Sequence, residues 1–392
     1  MIEQCPACHG SDIHCFFTLE SVPASSCLLL EDEVEARTFP RGCLDLAACR
    51  SCGFITNRAF EPALTEYSSR YEETQTFSPT FVEFGKSLAK QWVDRYHLQG
   101  AHVLEIGCGK GEFLTWMVEA GAQSGTGIDP GVHPERLDSE YARRIEWIAD
   151  LYDDRYLHLE ADAIVCRHTL EHIAPVRDFL SLIRRHIADR DVPVLFELPD
   201  ARRVLQNVAF WDVYYEHCSY FTAGSLARLF RRCGFEVLDL ALAYGDQYLL
   251  IEARPAAPPS APVPLPMEEQ VRHVLDLGTH FAEGYDEMVA TWSARLAAVR
   301  GRGGRAVLWG GGSKAVAFLS VPSVSSGISG VIDINPHKQG RFLAGTGHEV
   351  LAPDELRTLR PELVVVANPI YLREIKERIT AMEVGTCEVR EL

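Results

Sequence analysis

The chain has 392 residues, 47% of them apolar and 24% charged, the composition of an ordinary folded protein and not of a disordered one. At roughly 100–200 residues per domain it predicts two or three domains, each with enough chain to bury a core. Lysine and arginine number 38 against 55 acidic residues, a net charge of −17, which excludes a nucleic-acid backbone or an anionic membrane surface as a general partner. A small anionic substrate stays compatible if basic groups gather in one cleft. No run of about 18 apolar residues occurs, and residues 1–14 lack a basic stretch followed by an apolar one, so a cytoplasmic protein is expected. The sequence carries no signature of oligomeric state.

Taken in chain order, the first signal is two tight cysteine pairs, Cys5-Pro6-Ala7-Cys8 and Cys49-Arg50-Ser51-Cys52, among 12 cysteines in all. In a reducing compartment such pairs argue for metal rather than disulfides. Two such turns can give four thiolates to one tetrahedral zinc, a closed structural site with no open position. The competing reading is four reduced core cysteines, and His9, His14 or Cys43 could substitute as ligands. Residues 1–60 form this first unit.

From about residue 60 to 98 apolar residues recur at three- and four-residue spacing, which predicts a helix ending at Gly100. Strand and helix signals then alternate: strands at 101–106, 127–129, 163–166 and 193–197, and a helix at 176–187. That alternation predicts βαβ units around a parallel sheet over residues 61–254. The strand Val103-Leu104-Glu105-Ile106 runs into Gly107-Cys108-Gly109-Lys110-Gly111, after which an amphipathic helix opens. Glycines let a ligand approach the backbone, and the helix start offers free N–H donors. A nicotinamide fingerprint would want glycine at 112, where the chain has Glu112. An acid at the strand end instead suits the ammonium of S-adenosylmethionine (SAM), and Asp129 stands where both ribose hydroxyls could be held. Asp150 is a candidate for the adenine amine. In Arg167-His168-Thr169-Leu170-Glu171-His172, at the end of a predicted strand, His168 and His172 should face the cofactor crevice. The competing reading is a helix start with locally paired polar groups.

Tyr214-Tyr215-Glu216-His217-Cys218-Ser219-Tyr220-Phe221 offers an imidazole flanked by an acid and tyrosines, a group suited to general-base work. Residues 255–266 hold six prolines and no charge, which predicts an extended interdomain linker. A long helix is expected over 267–299. A second, smaller α/β unit follows within 267–392, with strands at 305–309, 330–334 and 362–367 and a helix from Lys314. Its Gly310-x-Gly312-x-x-Ala315, with Asp333 further on, also fits a relaxed dinucleotide fingerprint and supports a rival reading as an NAD-dependent oxidoreductase or nucleotide-sensing module.

Read in order, the cysteine pairs, the Glu105–Gly111 loop, the His168–His172 segment, the Tyr214–Phe221 element, the proline linker and the Gly310–Lys314 loop resemble the sugar C-methyltransferases. These are three-domain, zinc-containing, SAM-dependent enzymes acting on nucleotide-linked 4-keto-deoxysugars, of the kind used in deoxysugar and antibiotic biosynthesis. The resemblance implies a central Rossmann-like class I methyltransferase domain between a zinc-binding domain and a small C-terminal α/β substrate domain. It implies His217 as the base that removes the proton alpha to the ketone, assisted by Glu216 and Tyr214. Substrate contacts fall on Tyr71 and Phe77, with Lys314, Asp333 and Asn368 toward the nucleotide. After Tyr71 the chain departs from the family pattern, reading Glu72-Glu73-Thr74-Gln75-Thr76-Phe77-Ser78. An O- or N-methyltransferase on another small metabolite is the same-class alternative.

Overall fold

The computed structural model describes residues 2–257 and 263–392 and contains three sheets. Strands β1 (Ile13–Pro23), β2 (Arg41–Cys49) and β3 (Ile55–Asn57) form an antiparallel N-terminal sheet. The middle of the chain supplies β4 (His102–Ile106), β5 (Ser124–Ile128), β6 (Ile145–Ile148), β7 (Ala163–Arg167) and β8 (Val194–Pro199). Next comes β9 (Ser219–Tyr220), which leaves the middle unit and pairs with β3 as the fourth strand of the N-terminal sheet. The first unit therefore extends beyond residues 1–60. Strands β10 (Phe235–Ala243) and β11 (Tyr248–Pro255) complete a seven-stranded sheet of order β10-β11-β8-β7-β4-β5-β6, parallel except for β11. This is the Rossmann-like α/β arrangement expected. Its order reverses at β4, and ligands of such sheets bind off the carboxyl ends of the strands at that reversal.

The C-terminal sheet is all parallel, with order β14-β13-β12-β15-β16. Its strands are β12 (Ala306–Trp309), β13 (Ile328–Ile332), β14 (Val350–Leu351), β15 (Leu363–Val366) and β16 (Glu388–Glu391). Its central strands β12, β13 and β15 are almost wholly buried and rich in valine, leucine and isoleucine, as a sheet covered on both faces requires. The linker prolines at 258, 259 and 262 lie outside the described residues. Among the described residues no helix is long and apolar enough to cross a membrane.

The helix expected over 60–98 forms only in its second half, at Pro79–Arg95. Ser78 is extended (φ −94°, ψ 123°), as a residue before proline prefers, and its hydroxyl accepts from Phe81 N at 3.4 Å. That cap stops the helix from running backward. Residues 65–78 are left as a strap across the sheet's carboxyl edge. Lys110 Nζ donates to the Tyr71 carbonyl, Glu72 N donates to the Cys27 carbonyl, and the Tyr371 hydroxyl donates to Gln75 Oε1. The strap thus touches all three units.

The long helix Val271–Gly301 joins the ends of the molecule. Phe281 on this helix is fully buried and meets the Phe17 ring edge-on at 5.0 Å. Leu296 and Val299 of the same helix share one core with Ala306 and Leu308 of the C-terminal sheet. Phe281→Ala should cost about 3–5 kcal/mol in denaturant unfolding. Arg272→Ala, at an exposed position of the same helix, should change stability by no more than about 0.5 kcal/mol.

Candidate active site

A cavity of about 1280 Å³ lies between the carboxyl ends of β4, β5 and β7, the strap and the C-terminal glycine loop. Pockets for one drug-sized ligand hold roughly 300–1,000 Å³, so this volume suits two ligands side by side. The loop after β4 forms one end. Gly107 has φ +71°, and a Cβ there would stand 1.9 Å from Thr169 Oγ1. Gly111 has φ +89°, and its Cβ would meet the Trp147 ring at 2.5 Å. Only glycine fits either position. Gly109 N donates to Asp129 Oδ2 at 3.0 Å, and Gly131 N donates to Oδ1 at 2.6 Å, so the acid at the end of β5 holds the loop's shape.

Glu105 is 2% exposed and its Oε2 has no hydrogen-bond partner among the described residues. Burial pushes its carboxyl up to about 8, partly offset by Arg167. A buried acid with one unpartnered oxygen beside a glycine cradle suits a cation, and the SAM ammonium is of that kind. Asp150 also lines the cavity; its carboxylate accepts from Tyr156 and Leu151 N and pairs with Arg155, which hold it low, at about 2.

The two histidines expected at the crevice behave differently. His168 (φ +48°) turns Nε2 to Glu197 at 2.7 Å and Nδ1 toward Glu171 at 3.5 Å. These carboxylates outweigh burial and raise its pKa to about 9, so it is a cation committed to acids rather than a free cofactor contact. Glu197, buried on β8, needs that counter-charge along with Arg167. His172 Nδ1 lies 2.9 Å from the Tyr67 hydroxyl and 3.1 Å from the Glu216 carbonyl. That carbonyl only accepts, so the Nδ1 facing it carries a proton.

The Tyr214–His217 turn sends successive side chains in different directions. Tyr215 goes into the N-terminal sheet, where its ring fills the space beside Gly42 and its hydroxyl accepts from Glu61 N at 2.8 Å. Tyr214 and His217 face the cavity with ring centroids 4.1 Å apart, and His172 stands 4.8 Å from His217. Burial, then the charges of His172, His168 and Lys314, hold His217 well below the usual imidazole range. A neutral buried imidazole is a proton acceptor at neutral pH. Glu216 was expected to assist it, but its carboxylate accepts from Ser25 Oγ (2.9 Å), Ser26 N (3.0 Å) and Ser26 Oγ. Ser26 Oγ also stands 2.8 Å from Ser313 Oγ. Glu216 therefore ties the turn to the N- and C-terminal units instead of facing the imidazole. Adjacent residues in a turn cannot both point at one spot, and the two serines supply the donors its burial demands.

The C-terminal wall holds the remaining candidates. Lys314 is paired with Asp212, which also accepts from Arg203 at 2.8 Å. Asp333 accepts from Gly311 N (2.7 Å) and Asn335 N (2.8 Å), the same arrangement that Asp129 makes in the first glycine loop. Asn368 Oδ1 accepts from Gln247 Nε2 at 2.9 Å. Phe77 is 39% exposed and meets the His337 ring at 5.8 Å, while Tyr71 sits half-buried beside Tyr67. A strongly basic cleft does not form: Lys314 and Arg203 share Asp212, Arg167 is held by Glu197, and Lys110 is spent on the Tyr71 and Gly131 carbonyls. Lys338 remains, a lysine on the cavity wall whose Nζ lies 3.5 Å from where a Gly312 side chain would begin. Lys110, Lys338 and the Ser25-Ser26 pair were not singled out from the sequence. Lys110 stood in the glycine loop itself, and the other three carry no motif.

Comparison with known proteins agrees with this geometry. Residues 81–240 match a methyltransferase domain and residues 267–388 match a C-methyltransferase C-terminal domain. The C-methyltransferase NovU of Streptomyces niveus is 26% identical over 95% of this chain and 91% of its own length. Its matched domains and this relative make the chain a SAM-dependent C-methyltransferase. The glycine loop after β12 lies inside the C-methyltransferase match, and its oxidoreductase reading gives way. Among solved structures, a 1,6-didemethyltoxoflavin-N1-methyltransferase of Burkholderia thailandensis covers 46% of the methyltransferase described here and 82% of its own chain (TM-score 0.36, 19% identity). Magnesium protoporphyrin IX methyltransferase of Synechocystis PCC 6803 covers 45% and 84% (TM-score 0.34, 17% identity).

The cysteines form a separate centre on the N-terminal unit of this methyltransferase. The sulfurs of Cys5, Cys8, Cys49 and Cys52 all lie within 4.8 Å of one another, with Cys5–Cys52 at 3.6 Å and Cys8–Cys49 at 3.5 Å. Tetrahedral Zn–S bonds of about 2.3 Å put sulfurs about 3.8 Å apart, so the donor set fits zinc.

Two outcomes follow for cofactor binding. Gly107→Ala should abolish S-adenosylhomocysteine binding in calorimetry while the far-ultraviolet spectrum stays native. In the wild type, affinity should rise between about pH 6 and about pH 8, by up to roughly tenfold per unit, because the ligand ammonium selects the ionised Glu105 and burial leaves that group protonated below about 8. Glu105→Gln should bind weakly with no such rise.

Proposed function

We propose that the methyl acceptor is a nucleotide-activated 4-keto-deoxysugar, methylated at the carbon alpha to its ketone. The observation that carries this reading is His217: a neutral, buried imidazole facing a cavity with room for a second ligand beside the SAM loop. Carbon methylation needs a base and somewhere for the enolate charge to go, whereas a hydroxyl acceptor would need less help. In this mechanism His217 takes the alpha proton, the C–H electron pair becomes the enolate π-bond, and the ketone oxygen carries the charge. Tyr214, whose hydroxyl burial keeps firmly protonated, donates to that oxygen. SAM supplies the electrophilic methyl group, with Glu105 and Asp129 orienting it. The Glu216 carbonyl holds a proton on His172 Nδ1 beside the base, with the Tyr67 hydroxyl on the same nitrogen. The C-terminal wall around Lys338, Asp333 and Asn368 takes the nucleotide part, with Lys338 as the amine offered to phosphate.

The test is product structure. With ¹³C-methyl SAM and a panel of dTDP- and GDP-linked 4-keto-deoxyhexoses, NMR should show a new carbon–carbon bond alpha to the ketone; an O-methyl product from every active sugar would overturn the reading.

The cysteine centre, whose four residues do not line the cavity, is read as structural zinc in a cytoplasmic enzyme. Elemental analysis of the purified protein should give one zinc per chain. Cys5→Ser with Cys49→Ser should lose it and lower the melting temperature by several degrees, since a structural metal contributes its binding energy to folding.

A further inference from the structure

We propose that Glu171, not Glu216, is the positioning carboxylate of the catalytic imidazole, serving as counter-charge to the imidazolium that forms when His217 takes its proton. The inference rests on the reading of His217 as the base and assigns it a partner.

A base buried this deeply gains a full positive charge in the reaction, and a low-dielectric site tolerates that only with an anion close by. The groups that face His217 do not otherwise supply one. Tyr214, His172 and Tyr220 present rings at 4.1, 4.8 and 6.1 Å, and His172, His168 and Lys314 act on it as positive charges. Glu216, its neighbour in sequence, is held by Ser25 and Ser26. Glu171 comes from a different segment, the single turn Leu170–His172 at the end of β7. A carboxylate oxygen of Glu171 and ring nitrogens of His172 and His217 all lie within 4.8 Å of one another. Glu171 is 2% exposed, lines the cavity, and leaves Oε2 without a hydrogen-bond partner among the described residues. An orphaned buried carboxylate oxygen costs free energy unless a charge arrives to meet it.

The far side of Glu171 is already braced. His168 Nδ1 approaches Oε1 at 3.5 Å, and His168 is itself held by Glu197 at 2.7 Å. The order Glu197, His168, Glu171, His217 alternates negative and positive once the base is protonated. Around Glu171 the other titratable groups are the thiols Cys166 and Cys218 and the phenols Tyr67 and Tyr214, all kept neutral by burial. The proton that His217 takes therefore meets one nearby carboxylate with a free oxygen. The left-handed backbone of His168 (φ +48°), costly for a non-glycine residue, keeps this row in line.

The experiment follows solvent-deuterium exchange at the alpha carbon of dTDP-4-keto-6-deoxyglucose, with S-adenosylhomocysteine bound so that no methyl can be transferred. Wild type, Glu171→Gln, Glu171→Asp, Glu216→Gln and His217→Ala are compared across pH. Glu171→Gln should lower the plateau rate about tenfold or more and move the acid limb of the profile to lower pH, with KM for the ketone unchanged within about twofold. The sign follows because losing the anion weakens the base. Glu171→Asp should recover part of the rate, and Glu216→Gln should keep the wild-type acid limb. S-adenosylhomocysteine affinity and melting temperature of Glu171→Gln, matched to wild type, separate this role from a structural one. If His217→Ala abolishes exchange but Glu171→Gln keeps the wild-type rate and profile, the assignment of Glu171 is overturned and the base stands. If wild type does not exchange, or His217→Ala exchanges equally, the base falls and this inference with it. Two imidazoles and a carboxylate could also hold a divalent cation. A second metal equivalent per chain that is lost in Glu171→Gln and required for exchange would likewise overturn the proposal.

Discussion

Desolvation is the constraint on which the rest of this structure depends. Three units close over one cavity, and the ionisable groups left on its wall lose their water before any ligand replaces it. Glu105 responds by holding its proton, His217 by refusing one, and both are thereby poised for a partner of the right charge. The opposite shifts of an acid and a base in one cavity divide the labour of the site. One end waits for an ammonium and the other for a proton.

That constraint explains why the cavity needs all three units. A Rossmann-like sheet offers its ligand edge at the reversal of strand order, but an open edge would leave His217 hydrated and its pKa ordinary. Covering the edge falls to the strap at residues 65–78 and to the C-terminal wall. Their joints are polar: Glu72 accepts from Asn335 Nδ2 and Arg136, and Ser78 donates to Glu374. The apolar core runs elsewhere, through the N-terminal sheet, the long helix and the C-terminal sheet. Packing on that axis sets where the units stand, while hydrogen bonds at the cavity rim set its lining. A rim held by polar contacts can part to admit a ligand at smaller cost than a packed core could.

The two glycine loops show one solution used twice. Each follows a parallel strand, each is held by an aspartate ending the next strand, and each aspartate bonds one loop N–H and one N–H beyond itself. They differ in what stands beneath them. The first has Glu105, an acid with one oxygen left unpartnered among the described residues. The second has Lys338 against Gly312, and a lysine there inverts the charge a ligand must bring.

Local patterns in the sequence were enough for the α/β middle unit, the cysteine pairs, the SAM loop and the helix at Val176–Ile187, because each rests on residues close together in the chain. Two residues between paired cysteines bring both thiols to one turn, and a glycine run after a strand lets a ligand approach the backbone. The helix over 60–98 misled because apolar spacing continues through a region where Ser78 and Pro79 terminate it, and a cap overrides periodicity. Which acid stands free beside the imidazole lay beyond the sequence altogether. Glu216 adjoins His217 in the chain, yet its own burial sends it to Ser25 and Ser26, 190 or more residues away in sequence. Glu171, 46 residues before the base by numbering, arrives only because β7 ends where that turn packs. Side-chain direction in a turn and charge compensation across units are decided by what else is buried nearby, and that is a property of the tertiary structure alone.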